Sequence, residues 1–220
     1  PPRTSRHFSS SPASGRDRKW RLVHGGERGT RSGRGGPSAT GAGRPGPNGR
    51  SRELPLLLPT RSFFQTNTAV AEALYATARD WAEEAEPARV WDLFCGVGGF
   101  ALALAAPGRR VLGVEVSASA IDGARAAADL MGLDPALVRF EAGDARVLDP
   151  AAGGRAGGAQ RPDLLVVNPP RRGIGEQLAG RIEASGVGRV LYSSCNPRTL
   201  AADLAHLPSM RVVRSRQIGR

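Results

Sequence analysis

Three short polar motifs, each directly after an apolar run, constrain this chain more than any other feature. In chain order they are Asp92-Leu93-Phe94-Cys95-Gly96-Val97-Gly98-Gly99, Asn168-Pro169-Pro170-Arg171-Arg172-Gly173 and Ser193-Ser194-Cys195-Asn196-Pro197. The preceding runs, at 89–93, 163–167 and 189–192, have the length and composition of buried strands. Ligands of an open parallel sheet bind outside the carboxyl ends of its strands. We therefore expect the three motifs to line one crevice.

The order of the remaining elements predicts the fold class. Predicted strands lie at 89–93, 110–114, 137–141, 163–167, 189–192 and 210–214. Predicted helices lie at 68–86, with Asn67 as its N-cap, and near 99–106, 117–131, 175–185 and 197–206. Because strands and helices alternate, we predict an α/β fold with a doubly wound, mostly parallel sheet, formed by residues 54–220.

Residues 1–53 have a different composition from the rest of the chain. They carry 11 Arg and one Lys against three acidic residues, which is most of the formal net charge of +11. Their Gly, Arg, Ser and Pro content without apolar periodicity predicts a disordered tail. Such a tail is either a basic RNA-tethering arm or a leader with no role, and we favour the second reading. Residues 54–220 hold 19 basic and 17 acidic residues, close to neutrality.

Cysteine content and hydropathy bound the setting of the protein. Its two cysteines, Cys95 and Cys195, are too few for a four-cysteine zinc or iron–sulfur site, and we expect no metal. We see no secretory signal and no apolar stretch as long as a membrane span. We therefore expect a reduced, cytoplasmic protein that is not bound to a membrane and acts as a monomer.

The first motif predicts a cofactor site. Gly96 and Gly98 permit a tight turn that lets the backbone approach a ligand closely. Glu115 follows 19 positions after Gly96, where an acidic side chain reaches the hydroxyls of a bound ribose. Asp144, after the next strand, is placed to meet an adenine edge. These residues fit any adenosine-bearing cofactor and alone do not separate NAD from S-adenosylmethionine. The third glycine of the dinucleotide fingerprint is missing, and nothing indicates a second, pyrophosphate-linked nucleotide site.

The second motif predicts a rigid polar loop. Two prolines remove two backbone donors, so the carbonyl groups and the amide of Asn168 are left to contact a ligand. Methyltransferases that act on exocyclic amines also use Asn-Pro-Pro, but they follow it with an aromatic residue. Here Arg171 and Arg172 follow, which suits the binding of phosphate or carbonyl groups.

The third motif predicts a nucleophile. Cys195 precedes Asn196-Pro197, a typical N-cap and first helical residue, and a helix N-terminus favours the thiolate form of a cysteine. An inert buried cysteine is the alternative, but it fits a polar strand-to-helix turn less well. Cys95, between Phe94 and Gly96, has the opposite assignment: we expect a small packing residue.

A thiolate beside a methyl donor indicates methylation of a pyrimidine carbon. Carbon five of uracil is too weak a nucleophile to accept a methyl group from a sulfonium. Addition of a thiolate to carbon six produces an enolate whose carbon five can attack the methyl group. A base then removes the proton at carbon five, and the thiol leaves by elimination.

The motifs from residue 62 to 213, roughly two thirds of the chain, closely resemble those of the RNA uracil-5-methyltransferase family. Asn168-Pro-Pro-Arg-Arg-Gly-Ile-Gly175 and Tyr192-Ser-Ser-Cys-Asn196 are most similar to the branch that modifies a uridine of 23S rRNA; other branches carry Asp in place of Asn168. The resemblance implies a Rossmann-like class I methyltransferase fold, S-adenosylmethionine as cofactor and rRNA as substrate.

The resemblance also assigns roles to individual residues. Gln65, in Phe-Phe-Gln-Thr-Asn, would hold the cofactor together with Phe94, Glu115 and Asn168, and Cys195 would be the nucleophile. Reasoning from the residues alone identifies Glu115, Asn168 and Cys195 but treats Gln65 as a polar residue before a helix.

The chain also departs from the family pattern. Members of this branch usually have an N-terminal iron–sulfur cysteine cluster, but residues 1–53 contain no cysteine. Members also end with a strand bearing His-x-Glu, whose Glu is the proton-abstracting base and whose strand lies beside the sixth. We expect a fragment that lacks both, with residues 210–214 unpaired. The alternatives to an active enzyme are a remnant that binds cofactor or RNA without turnover and, less favoured, an NAD-dependent oxidoreductase.

Overall fold

The fold is built around one parallel sheet. The computed structural model describes residues 18–25, 54–56, 68–147 and 161–218. Its strands are β1 (Arg18–Gly25), β2 (Arg89–Leu93), β3 (Arg110–Glu115), β4 (Val138–Ala142), β5 (Leu164–Val167), β6 (Arg189–Ser194) and β7 (Met210–Ile218). They form a seven-stranded sheet in the order β4-β3-β2-β5-β6-β1-β7, and every neighbouring pair is parallel. The predicted doubly wound α/β class is confirmed.

Five helices connect and cover the strands of the described residues. They are α1 (Thr68–Glu83), α2 (Gly99–Leu104), α3 (Ala118–Leu130), α4 (Gly175–Ser185) and α5 (Pro197–Ala205), with a short 3₁₀ helix at Ala145–Val147. None of these helices has the length and apolarity needed to cross a membrane. The Asn67 cap predicted for α1 lies outside the described residues.

Two hydrophobic cores lie on opposite faces of the sheet. One contains side chains of α1, α2 and α3, such as Trp81 and Ile121, packed on strand residues including Val90. The other contains side chains of α4 and α5, such as Ile182, packed on strand residues including Trp91. Successive residues of a strand point to opposite faces, so strands covered on both faces are apolar throughout. This is why the central strands could be recognised as apolar runs.

The structure corrects two expectations about the ends of the chain. Residues Arg18–Gly25 form β1, although the whole segment 1–53 was predicted to be disordered; the rest of that segment lies outside the described residues. The sequence Trp20-Arg21-Leu22-Val23 has strand-forming residues that the polar composition around it obscures. The strand after α5 was predicted to lack a partner, but β7 pairs with β1 over its whole length.

Candidate functional site

The carboxyl ends of the strands bring the predicted site residues to one edge of the sheet. In the strand register, Val114, Leu93 and Val167 lie side by side. The residues that follow them are Glu115, Phe94 and Asn168, which are therefore neighbours at the same edge. Tyr192 of β6 lies beside Val167, and Cys195 follows three residues later. The structure therefore places the three motifs at one edge of the sheet; that they line one crevice stays a prediction.

The glycine turn after β2 is held from the side by Glu115. The Gly96 N–H donates to Oε2 of Glu115 over 3.3 Å, and the Ser117 N–H donates to Oε1 over 3.1 Å. Gly96 has φ of +55°, which suits glycine, and a Cβ placed on it would meet no atom within 4 Å. The carboxylate of Glu115 therefore shapes an open backbone turn.

Phe94 and Gly98 complete the shape of this turn. Phe94 has φ of +63°, an uncommon backbone conformation for a residue with a side chain. Gly98 has φ of +85°, and a Cβ on it would lie 2.9 Å from the ring of Phe140. The first glycine thus faces open space, whereas the second is required by the packing beneath the turn.

A buried carboxylate lies under the turn. Asp92 has an exposed fraction of 0 %, and its Oδ2 accepts the Ala101 N–H over 2.9 Å. Its Oδ1 has no hydrogen-bond partner among the described residues. Burial, which the hydrogen bond from Ala101 opposes and the charge of Glu115 assists, raises the pKa of Asp92 to about 8. Asp92 is therefore mainly protonated at neutral pH, a property that the sequence did not indicate.

Asp144 lies at the same edge but is already engaged by Arg146. Its Oδ2 accepts from the Arg146 guanidinium over 2.7 Å, and its Oδ1 accepts the Arg146 N–H over 2.9 Å. These hydrogen bonds lower the pKa of Asp144, with smaller contributions from the charges of Arg146 and Arg172. An adenine amino group that approached Asp144 would therefore meet a carboxylate whose oxygens are already hydrogen-bonded.

The two cysteines have opposite environments. Cys95 is buried, and burial raises the pKa of its thiol well above the usual range, with further contributions from Asp92 and Glu115. This agrees with its assignment as a packing residue. Cys195 is exposed at the turn between β6 and α5, so it is open to a substrate.

The turn that carries Cys195 has a defined backbone. Asn196 caps α5, because its side chain accepts the Arg198 N–H over 3.1 Å, and Pro197 begins the helix, as predicted. Before Cys195, the Ser194 hydroxyl accepts the Asn196 N–H and donates to the Asn196 carbonyl oxygen, each over 3.0 Å. The exposed thiol is therefore held between two hydrogen-bonded residues.

Sequence reasoning missed one buried group of this region, the carboxylate of Asp203. It has an exposed fraction of 3 % and accepts the Tyr192 hydroxyl over 2.5 Å. Burial, followed by this hydrogen bond, raises the pKa of Tyr192 above its usual range. Asp203 also accepts the N–H groups of Ile174 and Gly175. The sequence contains no signal for this cluster, because Asp203 lies 28 and 29 residues from the two amides.

The predicted cofactor residue Gln65 and the question of a metal site remain to be placed. Gln65 lies outside the described residues. No group of three or more His, Cys, Asp or Glu side chains that could hold a metal ion occurs in the part of the chain that the structure describes.

The chain is similar in sequence to known uracil-5-methyltransferases. The family profile described as tRNA (uracil-5-)-methyltransferase matches residues 50–146. A 23S rRNA (uracil(747)-C(5))-methyltransferase of Vibrio vulnificus is 48 % identical over 162 residues, which cover 74 % of this chain and 41 % of the relative. The protein of the same name from Shewanella amazonensis is 49 % identical over 161 residues, covering 73 % of this chain and 40 % of the relative.

A solved structure shows the same likeness. The tRNA (uracil-54, C5)-methyltransferase of Pyrococcus abyssi, in complex with S-adenosyl-L-homocysteine, superposes with a TM-score of 0.55. It is 33 % identical, and the match covers 67 % of this chain and 34 % of that one. The match to the Vibrio and Shewanella relatives spans about two fifths of their length.

Proposed function

Because the chain belongs to the tRNA (uracil-5-)-methyltransferase family, matched over residues 50–146, we propose that it methylates carbon five of a uridine in 23S rRNA. The proposed methyl donor is S-adenosylmethionine, and the proposed nucleophile is Cys195. The rRNA assignment follows the names of the relatives from Vibrio and Shewanella. The observation that carries the mechanism is the row of Phe94, Glu115 and Asn168 beside an exposed thiol.

The glycine turn fits the methyl donor. Gly96 leaves open space above the backbone, and the Glu115 carboxylate at the end of β3 is placed to accept hydrogen bonds from ribose hydroxyls. Asn168, exposed at the end of β5, offers an amide beside the same turn. We assign Gln65, Phe94, Gly96, Gly98, Glu115, Asp144 and Asn168 to cofactor binding. Asp144 would contribute only with its Arg146 contacts rearranged or through a remaining lone pair.

Cys195 performs the covalent step in this proposal. When bound, S-adenosylmethionine supplies an electrophilic methyl group on a sulfonium. The Cys195 sulfur adds to carbon six of uracil, and the electron pair of the double bond between carbons five and six becomes available at carbon five. Carbon five would then accept the methyl group, and the electron pair of the broken sulfur–methyl bond would remain on the donor's sulfur. Removal of its proton by a base restores the double bond and expels the Cys195 sulfur.

A single copy of the chain carries Glu115, Asn168 and Cys195 on one sheet edge, so we propose that the enzyme works as a monomer. Its rRNA substrate would place the reaction in the cytoplasm. A monomer is expected to elute at the size of one chain in gel filtration, and activity that rises with the fraction of dimer would contradict this.

Trapping the covalent adduct tests the proposal. Incubation with S-adenosylmethionine and a 23S rRNA fragment containing 5-fluorouridine is expected to give a complex that survives denaturing electrophoresis, because fluorine cannot leave carbon five as a proton does. Cys195→Ala should abolish the complex. Cys95→Ala removes the buried thiol instead and is the matched control that should retain it. An adduct that persists in Cys195→Ala would overturn the assignment.

Two further measurements separate the proposed activity from its alternatives. Release of tritium from uridine labelled at carbon five reports turnover, and calorimetry reports S-adenosylmethionine binding. Binding without release would favour a protein that binds its ligands without catalysis. Methyl transfer to a tRNA transcript but not to 23S rRNA would overturn the rRNA assignment and leave the cysteine chemistry in place.

A further inference from the structure

The proposed reaction does not use the two arginines that follow the Asn-Pro-Pro loop. Arg171 and Arg172 are both exposed and lie on the turn between β5 and α4, which we call the arginine turn (residues 170–175). An exposed turn with two long charged side chains is expected to be loosely held unless specific contacts fix it. Here, hydrogen bonds hold the turn both near its beginning, at Arg171, and near its end, at Ile174 and Gly175.

The front of the arginine turn is bound to the helix that follows Cys195. The Arg171 carbonyl oxygen accepts two hydrogen bonds, from Nδ2 of Asn196 over 3.0 Å and from Oγ1 of Thr199 over 3.1 Å. The Gly173 N–H closes the turn onto the Pro170 carbonyl oxygen over 2.9 Å. Arg171 is therefore fixed beside the residue that follows the proposed nucleophile.

The back of the arginine turn rests on the buried Asp203 carboxylate. Oδ2 of Asp203 accepts the Ile174 N–H over 2.9 Å, and Oδ1 accepts the Gly175 N–H over 3.0 Å. A buried carboxylate costs stability unless hydrogen bonds satisfy it, and here two amides and the Tyr192 hydroxyl do so. This arrangement makes the position of the turn depend on the same helix as its front.

Gly173 allows the two anchors to come together. It has φ of +81°, and a Cβ at this position would overlap the Asp203 carboxylate. Only glycine therefore lets the chain pass over Asp203 between Arg172 and Ile174. The arginine turn is thus fixed at both ends by hydrogen bonds to Asn196, Thr199 and Asp203, and it carries two exposed arginines next to the segment that bears Cys195.

A third arginine adjoins this surface. Arg198 is exposed in the first turn of α5, three residues after Cys195. Two carboxylates adjoin this surface, and both are already engaged: Asp203 accepts the Ile174 and Gly175 N–H groups beneath the turn, and Asp144, which the charge of Arg172 influences, is hydrogen-bonded to Arg146. Since residues 54–220 as a whole are nearly neutral, three exposed arginines on the two segments that the Arg171 carbonyl oxygen joins, one of which bears Cys195, are a local concentration of positive charge.

We propose that Arg171, Arg172 and Arg198 bind phosphate groups of the RNA strand on either side of the target uridine. This inference rests on the proposed function, because it takes the substrate to be RNA. Guanidinium groups pair with phosphate oxygens through two parallel hydrogen bonds, and a fixed backbone reduces the ordering cost of such contacts. The arginine turn thus sets the position of the strand while the base reaches Cys195.

The salt dependence of RNA binding tests this inference. For single strands, log K falls against log salt by about 0.7 for each phosphate contact, so at 0.1 M salt each contact strengthens binding about fivefold. The triple variant Arg171→Ala, Arg172→Ala, Arg198→Ala is expected to reduce the slope by about 2 and to weaken binding of the 23S rRNA fragment about 100-fold. Arg139→Ala is the matched control, because it removes an exposed arginine from β4, an edge strand that three strands separate from β6. Its RNA affinity is expected to change less than twofold.

A charge-conserving variant separates phosphate binding from a change of structure. Replacement of the three arginines by lysine keeps the charge, so the salt slope should stay within about 0.5 of the parent slope while affinity falls severalfold through loss of paired hydrogen bonds. If the lysine variant loses the slope as the alanine variant does, or if the alanine variant binds like the parent, the inference is wrong.

The proposed function fails in a different way. If the parent protein forms no adduct with 5-fluorouridine RNA, the covalent mechanism is wrong whatever the arginine variants do. If the parent forms the adduct and the alanine variant binds RNA with the parent slope, only the phosphate assignment is overturned. Thermal unfolding of each variant verifies that it is folded.

Discussion

The buried carboxylate of Asp92 predicts a stability that depends on pH and that one substitution should remove. Asp92 is fully buried, accepts one N–H from Ala101, and has its other oxygen without a partner among the described residues. Burial raises its pKa from the ordinary 3.8 to about 8. In the unfolded chain the same carboxyl ionises at its ordinary pKa. Between these two values the folded protein holds one proton more than the unfolded chain does.

The sign and the size of the effect follow from this difference. Stability falls with rising pH wherever the folded state holds more protons, so the loss begins near pH 4 and is complete above about pH 8. Each pH unit in this window costs about 1.4 kcal/mol, which gives a loss on the order of 4 kcal/mol at pH 7. Asp92→Asn is neutral in both states, and its side-chain oxygen can still accept the Ala101 N–H. It should therefore lack this loss.

Urea unfolding followed by tryptophan fluorescence measures the effect, since Trp81 and Trp91 lie in the two cores. The free energy of unfolding of Asp92→Asn minus that of the parent should rise between pH 4.5 and pH 8.5 by several kcal/mol. Asp129→Asn, an exposed carboxyl on α3, is the matched control, and its difference should stay flat. Equal pH dependence in Asp92→Asn and the parent would refute the reasoning.

Four other substitutions probe the edge of the sheet. Gly173→Ala should lower the free energy of unfolding by about 2–4 kcal/mol in urea, because it combines a positive φ with overlap onto Asp203. Asp203→Ala should cost about 3–5 kcal/mol in the same assay, because it removes the acceptor of the buried Tyr192 hydroxyl and Ile174 N–H and of the Gly175 N–H. Tyr192→Phe should cost only about 1–2 kcal/mol, because the Asp203 carboxylate keeps its other two donors, and equal costs would contradict this. Arg146→Ala should raise the pKa of Asp144 toward its ordinary value, measured by carbon NMR of the carboxyl group, and no change would show that the hydrogen bonds do not form in solution.

The sequence predicted those parts of the fold that local composition determines. The bounds of β2 and α4 are confirmed to the residue, because an apolar run and a glycine-bounded amphipathic segment define them. Strand β6 was predicted to end at Tyr192 but continues through Ser193 and Ser194, which are polar and buried. These two serines pair with β1, a strand far away in the chain, so no local signal marks them.

The end of β7 shows the same limit. Its predicted range stopped at residue 214, but pairing with β1 continues to Ile218 opposite Gly25. A residue such as Arg216 or Gln217 is not a strong strand former, and its extended conformation comes from the partner strand. Tertiary pairing therefore determined the element that sequence reasoning had expected to be unpaired.

Prediction of the site divides along similar lines. Glu115, Asn168 and Cys195 were predicted as site residues because each lies shortly after a recognisable strand, and the structure places all three at the carboxyl ends of neighbouring parallel strands. Their roles remain a prediction. The hydrogen-bond partners of other groups at this edge could not be predicted. That Arg146 engages Asp144, and that Asp203 supports the arginine turn, depends on side-chain contacts that leave no periodic pattern in the sequence.

The motif after β2 shows that this edge is shaped for binding at some cost in stability. Within three residues the chain has a fully buried carboxyl group, at Asp92, and a residue with positive φ, at Phe94. Each is unfavourable for folding. Neither is needed to close the sheet, because β2 pairs with its neighbours through backbone groups, which the Asp92 carboxyl does not supply, and ends at Leu93 before Phe94. Both act on the turn that Glu115 holds open: Asp92 fixes the start of α2 through Ala101, and Phe94 redirects the chain so that the Gly96 N–H meets Glu115. The unfavourable features therefore coincide with the open turn, as expected where a ligand rather than the core determines the backbone.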